Sequence, residues 1–217
     1  MIQDCLRTME SASGEELFAI IPRIGVLRDP RFKSVLLALL SHRDLKKREF
    51  AAYSMGAMKD PDFLEPLKEA FHGARSLPGL RSEDLLIALI EAIGAVGDDA
   101  AVDFYLELMR EPLRGKQAVQ MRRWIVESLG SIAQQGGRRS EAALLELTAH
   151  EDPELRARAV SELSVAYWHR PNELPEEILV RICELTRDTS RTVTESALAA
   201  LQSLADVGCR LAEQLFD

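Results

Sequence analysis

Apolar positions recur along this chain at helical spacing, and each apolar stretch closes on a hydrophobic residue followed by a small or polar one. The closing pairs are Ile24-Gly25, Met55-Gly56, Ile93-Gly94, Leu129-Gly130, Leu163-Ser164 and Leu201-Gln202, and their second members lie 31, 38, 36, 34 and 38 residues apart. Five, four and one residues before these anchors stand Ile20, Ile21, Ile24; Ala51, Ala52, Met55; and Leu89, Ile90, Ile93. The later repeats supply Ile125, Val126, Leu129; Ala159, Val160, Leu163; and Ala197, Leu198, Leu201. Steps of three and four place each triplet on one face of a helix, as a stripe that must be buried against neighbours. A period of about 20–50 residues signals stacked repeats instead of a single globular core.

Twelve residues before the anchors stand Ser13, Asp44, Ser82, Ala118, Asp152 and Ser190. All but Ala118 carry an oxygen able to accept from the free N–H groups of a helix start. Ser13 with Glu16 forms a capping-box pattern, and Pro153 after Asp152 suits the first helical position. A first helix of about three turns, closed by the anchor, follows from these limits, and a glycine there suits either a left-handed cap or a close helix crossing. Four residues past their anchors, Asp29, Asp60, Asp98 and Asp206 are placed to open a turn that caps a second helix. Its apolar members are Val35, Leu36, Leu39; Leu64, Leu67, Phe71; and Val102, Tyr105, Leu106, Met109. The predicted unit is helix, tight turn, helix, and no stretch alternates as a strand would.

Arg48, Ala51, Ala52, Met55, Gly56, Asp60, Pro61, Leu64 and Leu67 within residues 48–67, and Asp152, Pro153, Leu155, Arg156 and Val160 further on, carry a resemblance. The chain resembles bacterial HEAT-repeat proteins of the type grouped with phycobilisome-lyase HEAT-like repeats, from about residue 13 to the end. The resemblance implies an all-α HEAT-like α-solenoid, a superhelix of about six helix-turn-helix repeats in a single domain over residues 1–217, with second helices lining the concave face. It is specific for fold and unspecific for function, because unrelated proteins use this repeat. The stretch from Tyr167 to Pro175 and the longer loops at residues 72–81 and 111–117 depart from the pattern. Residues 1–12 are expected to add a short helix with a polar outer face, while Leu211 and Leu215 mark the far edge as a place for a partner or a second copy.

With 47% hydrophobic and 29% charged residues the chain has material for a substantial core, which excludes a disordered segment. A net charge of −8 repels phosphate backbones and anionic lipid and favours basic partners. Cys5, Cys183 and Cys209 show no metal-ligand spacing, which points to a reducing compartment and to buried or half-buried thiols. The first residues lack the basic start and apolar run of a signal peptide. The apolar runs at residues 35–40 and 85–90 fall far short of the roughly 20 residues that span a bilayer, so a cytoplasmic location is expected.

Acidic residues recur in register on the second helices: Glu65 and Asp103 nine past the anchor, Glu69 and Glu107 thirteen past it. Each pair is four apart and shares a face, and the four together are the candidate protein-binding residues for a basic protein or peptide partner. Arg48, Arg122 and Arg156, eight before their anchors, form either an anion ladder or, the favoured reading, a structural ladder pairing with turn aspartates such as Asp60. His42, His72, His150 and His169 stand singly, so no metal site is expected, and no cofactor is implied. His150-Glu151 resembles one His-Glu pair of the iron-containing HEAT-repeat hydroxylases, whose centre needs several. No phosphate loop, G-x-S-x-G motif or cysteine with an arranged histidine nominates a catalytic residue.

The reading that results is a non-catalytic protein-interaction scaffold or adaptor, not an enzyme. Its rival is a HEAT-like DNA-binding protein or alkyl-base DNA glycosylase, a family that uses tryptophans and an aspartate on a basic concave face. Trp124 and Trp168 would then stack on bases, and Arg110, Arg114, Lys116, Arg122, Arg123, Arg138 and Arg139 would meet phosphates. Ser128 beside Glu127 stands one turn after Trp124, however, and the chain is acidic. A chromophore-lyase role comes only from the name of the repeat family.

Overall fold

The computed structural model describes residues 1–12, 14–75, 81–111 and 116–213, the side chains of residues 81 and 116–118 excepted. These residues form helices and short turns, with no strand among them. The single domain expected over residues 1–217 stands beside two compact units, Met1–Ala101 and Val102–Asp217. Among the described residues no helix is long and apolar enough to cross a membrane.

In the first unit α1 (Ile2–Ser11) precedes α2 (Glu15–Phe18), α3 (Ile21–Leu27), α4 (Arg31–Leu40), α5 (Leu45–Met58), α6 (Leu64–Arg75) and α7 (Arg81–Gly97). The first helices α3, α5 and α7 stack in chain order, while α4 packs on α5 and α6 on α7. Stacking follows from the stripe: Ala51, Ala52, Met55, Leu89, Ile90 and Ile93 are all buried. Each large member contributes about 1.5–3 kcal/mol by leaving water. The start of the stack is covered by α1 through its buried Cys5 and Met9, as expected for residues 1–12.

The anchor glycines are crossing points and do not close the helices. A β-carbon at Gly25 would lie 3.0 Å from the Ala57 β-carbon, and one at Gly56 only 3.2 Å from the Ala92 α-carbon. Helices run on past the anchors, and the left-handed residues that end them are Arg28, Lys59 and Asp98, with φ of 44°, 52° and 48°. The first repeat departs further, because its first helix is broken at Ala19 and Ile20 into α2 and α3. Pro22 lacks the N–H that a continuous helix needs and crowds the carbonyl of Phe18 one turn back.

The second unit contains α8 (Val102–Arg110), α9 (Lys116–Gln134), α10 (Arg138–Leu147), α11 (Pro153–Ala166), α12 (Glu176–Leu185), α13 (Arg191–Asp206) and α14 (Arg210–Glu213). Here α9, α11 and α13 stack in order, α10 packs on both α9 and α11, and α12 packs on α13. Each unit is thus an all-α, HEAT-like stack of helix-turn-helix pairs. The stripes of α9 and α11 are fully buried, whereas Leu198 on α13 is 50% exposed because no described first helix follows to cover it.

Asp44 and Asp152 cap α5 and α11 as expected, each accepting the amide two residues on at 3.0 Å. Ser82 and Ala118 instead lie inside α7 and α9, and Ser13 falls outside the described residues. Ser190 holds the cap position of α13 without a side-chain bond, and its own amide donates to Asp188 at 2.8 Å. Of the turn aspartates, Asp29 and Asp60 accept the amides of Arg31 and Asp62. Asp98 is itself the left-handed residue, and Asp206 ends α13 while accepting from the Gln202 side chain. The cysteines are free thiols, Cys5 and Cys209 buried and Cys183 half-buried.

Candidate functional site

The connector after α11, where the sequence leaves the repeat pattern, builds a cavity in the second unit. Its floor is a clamp of three side chains. Arg170 donates to Glu141 at 2.6 Å, to the Ala133 carbonyl at 2.7 Å and to the Ala166 carbonyl at 3.3 Å. Its guanidinium carbon lies 4.7 Å from the centre of the buried Tyr167 ring, a cation–π contact. The Tyr167 hydroxyl bonds to Glu141 as well, and burial, then the nearby carboxylate, pushes the phenol far above its ordinary value. One guanidinium therefore ties the ends of α9 and α11 to the first turn of α10.

Above this clamp a cavity of about 660 Å³ opens between α10 and α12. A shallower depression of about 510 Å³ continues it along α12, and the two share Leu145 and Glu177. The groove is tied at both ends of α10, by Arg170 to Glu141 at the start and by Arg181 of α12 to Thr148 at the finish. Arg181 donates there to the Thr148 hydroxyl at 2.9 Å and to its carbonyl at 3.0 Å. Ala142 and Leu145 form one wall, and Val180, 49% exposed, forms part of the other.

Most charges around the groove are already engaged. Glu184 pairs with Arg181 at 2.8 Å, and Glu173 stands 3.8 Å from Arg170. Glu176 and Glu177, in the first turn of α12, have no ion pair among the described residues, and neither has Arg138 across the cavity. The arrangement is a preformed slot with aliphatic walls and spare carboxylate acceptors.

The acidic residues singled out by register fall into two sets. Glu65 and Glu69 lie exposed on α6 in the first unit, and Asp103 and Glu107 lie exposed on α8 in the second. Glu65 is taken by Lys68 at 2.9 Å and Asp103 by Arg139, whereas Glu69 and Glu107 form no ion pair among the described residues.

The arginine ladder is structural, with a correction to its partners. Arg48 donates to the Leu40 carbonyl at 3.0 Å, Arg122 to Glu111 at 3.2 Å, and Arg156 to His150 and Glu151 at 2.8 and 3.0 Å. Each guanidinium thus holds carbonyls at the end of the preceding second helix or in the turn just past it. Burial pulls the Arg48 guanidinium below its ordinary value. Asp60 pairs with Lys33 at 3.0 Å, and the aspartate on this ladder is Asp188, held by Arg156 in a two-pronged pair that lowers its carboxyl.

Two histidines have a role that the sequence reading passed over. The Nδ1 atoms of His42 and His150, at the same repeat position, accept the amides of the cap residues Asp44 and Asp152 at 3.0 Å. A repeated His-x-Asp before a first helix was the available signal. Trp124 is only 9% exposed within α9 and so offers no face to a base, while Trp168 is 50% exposed. Of the basic set, Arg139 is engaged by Asp103, Arg123 is half-buried, Arg110 is exposed, and Arg114 and the Lys116 side chain lie outside the described residues. Leu211 is exposed, and Leu215 also lies outside them.

No protein-family model and no curated protein matches the chain. Among solved structures, an engineered protein is similar over 95% of this chain and 97% of its own, at 14% identity and a TM-score of 0.44. Human deoxyhypusine hydroxylase, solved with glycerol, is similar over 93% of this chain and 83% of its own, at 16% identity and a TM-score of 0.35. Scores this low transfer no activity. The expectation that the chain is not an enzyme does not stand: the hydroxylase is an enzyme by name, and a likeness this weak decides neither way. The lack of a recognisable catalytic motif therefore does not decide the matter.

Proposed function

We propose that the protein is a cytoplasmic HEAT-repeat interaction module, a scaffold or adaptor that holds a protein partner in the groove between α10 and α12. The observation that carries this reading is the slot itself, tied by Arg170–Glu141 and Arg181–Thr148 and lined by exposed aliphatic side chains. A surface already ordered before binding loses little entropy when a partner docks. The resemblance of residues 48–67 to bacterial HEAT repeats, in which such surfaces hold partners, supports the same reading. Glu65 with Glu69, and Asp103 with Glu107, are proposed as further contacts, each pair on its own unit.

Ala142 is exposed on the wall of the slot, so Ala142→Arg fills it without disturbing the core. Full-length wild type and this variant, immobilised and exposed to a lysate of the source organism, are compared by quantitative mass spectrometry. The expected result is a partner retained reproducibly by wild type and at least about tenfold less by the variant, a loss of about 1.4 kcal/mol, with unchanged circular dichroism. Equal retention by both proteins, or none above a bare support, refutes the proposal.

A further inference from the structure

We infer that the occupant of the groove is a basic segment that seats the stem of a lysine or arginine on Leu145 and its charged head on Glu177. This rests on the groove reading above and adds the chemistry of what the groove takes. The deeper cavity and the shallower depression meet at these two residues, an apolar surface beside a carboxylate. Long cationic side chains match such a pair, because they lay their methylenes along apolar surface and keep the charge at its edge.

The unbalanced charge around the slot points the same way. Glu141 accepts from both Arg170 and Tyr167, Arg170 also serves the Ala133 and Ala166 carbonyls, and Arg181 serves Thr148 and Glu184. These pairs stabilise the slot and balance their own charges, although each guanidinium keeps two of its five N–H donors. Outside those pairs stand Glu176 and Glu177, with no ion pair among the described residues, and Glu173, held only at 3.8 Å by Arg170; against them stands Arg138. An acidic visitor would meet three carboxylates, and like charges brought together repel; a basic one is drawn in by the same groups and by the net charge of −8. Val180 and Ala142 add aliphatic surface for a non-polar neighbour of the cation. The occupant is thus a peptide segment combining lysine or arginine with an aliphatic residue.

Fluorescence anisotropy with the full-length protein tests this directly. The probe is a labelled twelve-residue peptide of lysine, leucine and alanine, with two controls: lysines replaced by glutamate, and leucines replaced by serine. The basic leucine peptide is expected to bind, the glutamate peptide not to bind, and the serine peptide to bind at least about threefold more weakly. Glu177→Lys is expected to weaken the basic peptide at least about tenfold and Glu177→Gln by less, while Glu213→Lys, an exposed charge on α14, leaves binding unchanged. Binding of the glutamate peptide as tight as the lysine peptide, or indifference to Glu177→Lys, overturns the inference. A natural partner lost with Ala142→Arg but kept by Glu177→Lys would overturn the basic occupant and leave the groove reading intact. Retention by both variants would remove the groove reading as well.

Discussion

Gly56 in the first unit and Gly130 in the second occupy the same repeat position, yet they make room for different things. A β-carbon at Gly56 would meet backbone, 3.2 Å from the α-carbon of Ala92 on α7. At Gly130 it would meet a side chain, with the Glu162 carboxyl carbon of α11 only 2.7 Å away. One glycine therefore lets two helices touch, and the other shelters a carboxyl. Burial, and after it the nearby Glu127, pushes Glu162 up to about 7, with Arg158 pulling the other way. A small residue in a repeat records that space is needed and is silent about what fills it.

The sharpest way to break this contrast is to fill the space in the first unit. Gly56→Leu drives a branched side chain into helix backbone that cannot rotate away, so a loss of about 3 kcal/mol is expected. Urea unfolding at pH 6 and pH 8 should show the same loss at both, because the atoms nearest such a β-carbon belong to Ala92 and Ala95, which do not titrate. A loss below about 1 kcal/mol would mean that α5 and α7 slide apart easily and that the crossing is loose.

The helices were legible in the sequence because their causes are local. Stripes at fixed offsets from the anchors, and caps at Asp44 and Asp152, depend on residues a turn or two apart. Misreadings arose where two local rules competed. Pro22 broke the first helix of the first repeat into α2 and α3, and α7 and α9 began before Ser82 and Ala118. The groove was not legible, because Arg170 reaches Glu141 across 29 residues and Ala133 across 37. What the sequence did show was the irregular stretch after Tyr167, without the clamp that makes it useful.

Glu162 supplies the second test, smaller and dependent on pH. Its carboxyl titrates near 7 in the folded protein and near its ordinary 4.5 when unfolded, so between those values the folded state binds more protons. Stability should accordingly fall as pH rises from about 4.5 through about 7, and level off above that. Glu162→Gln removes the charge and is expected to gain about 1–2 kcal/mol at pH 8, a value reduced for partial exposure, with little effect near pH 4.5. Gly130→Ala expels the carboxyl and should flatten the same slope, unlike any change at Gly56. Denaturant midpoints measured from pH 4.5 to 8.5 decide it; parallel curves for wild type and Glu162→Gln would show that the carboxyl is solvated and the contrast between the glycines is only steric.

The smallest expected effect concerns how the two units turn their corners. In the first unit the left-handed positions after the first helices are filled by Arg28, Lys59 and Asp98, whereas in the second Gly136 and Gly208 stand at φ of 93° and 85°. A side chain in that region crowds its own backbone, and glycine does not, although glycine loses more freedom on folding. Asp98→Gly should therefore stabilise by about 0.5–1 kcal/mol, raising Tm by about 1–4 °C. Gly136→Ala should shift it the other way by a similar amount, because alanine is strained at that φ. If Asp98→Gly lowers Tm, the aspartate at that corner contributes more through its contacts than it costs in strain, and the units differ in chemistry at their turns as they do at their crossings.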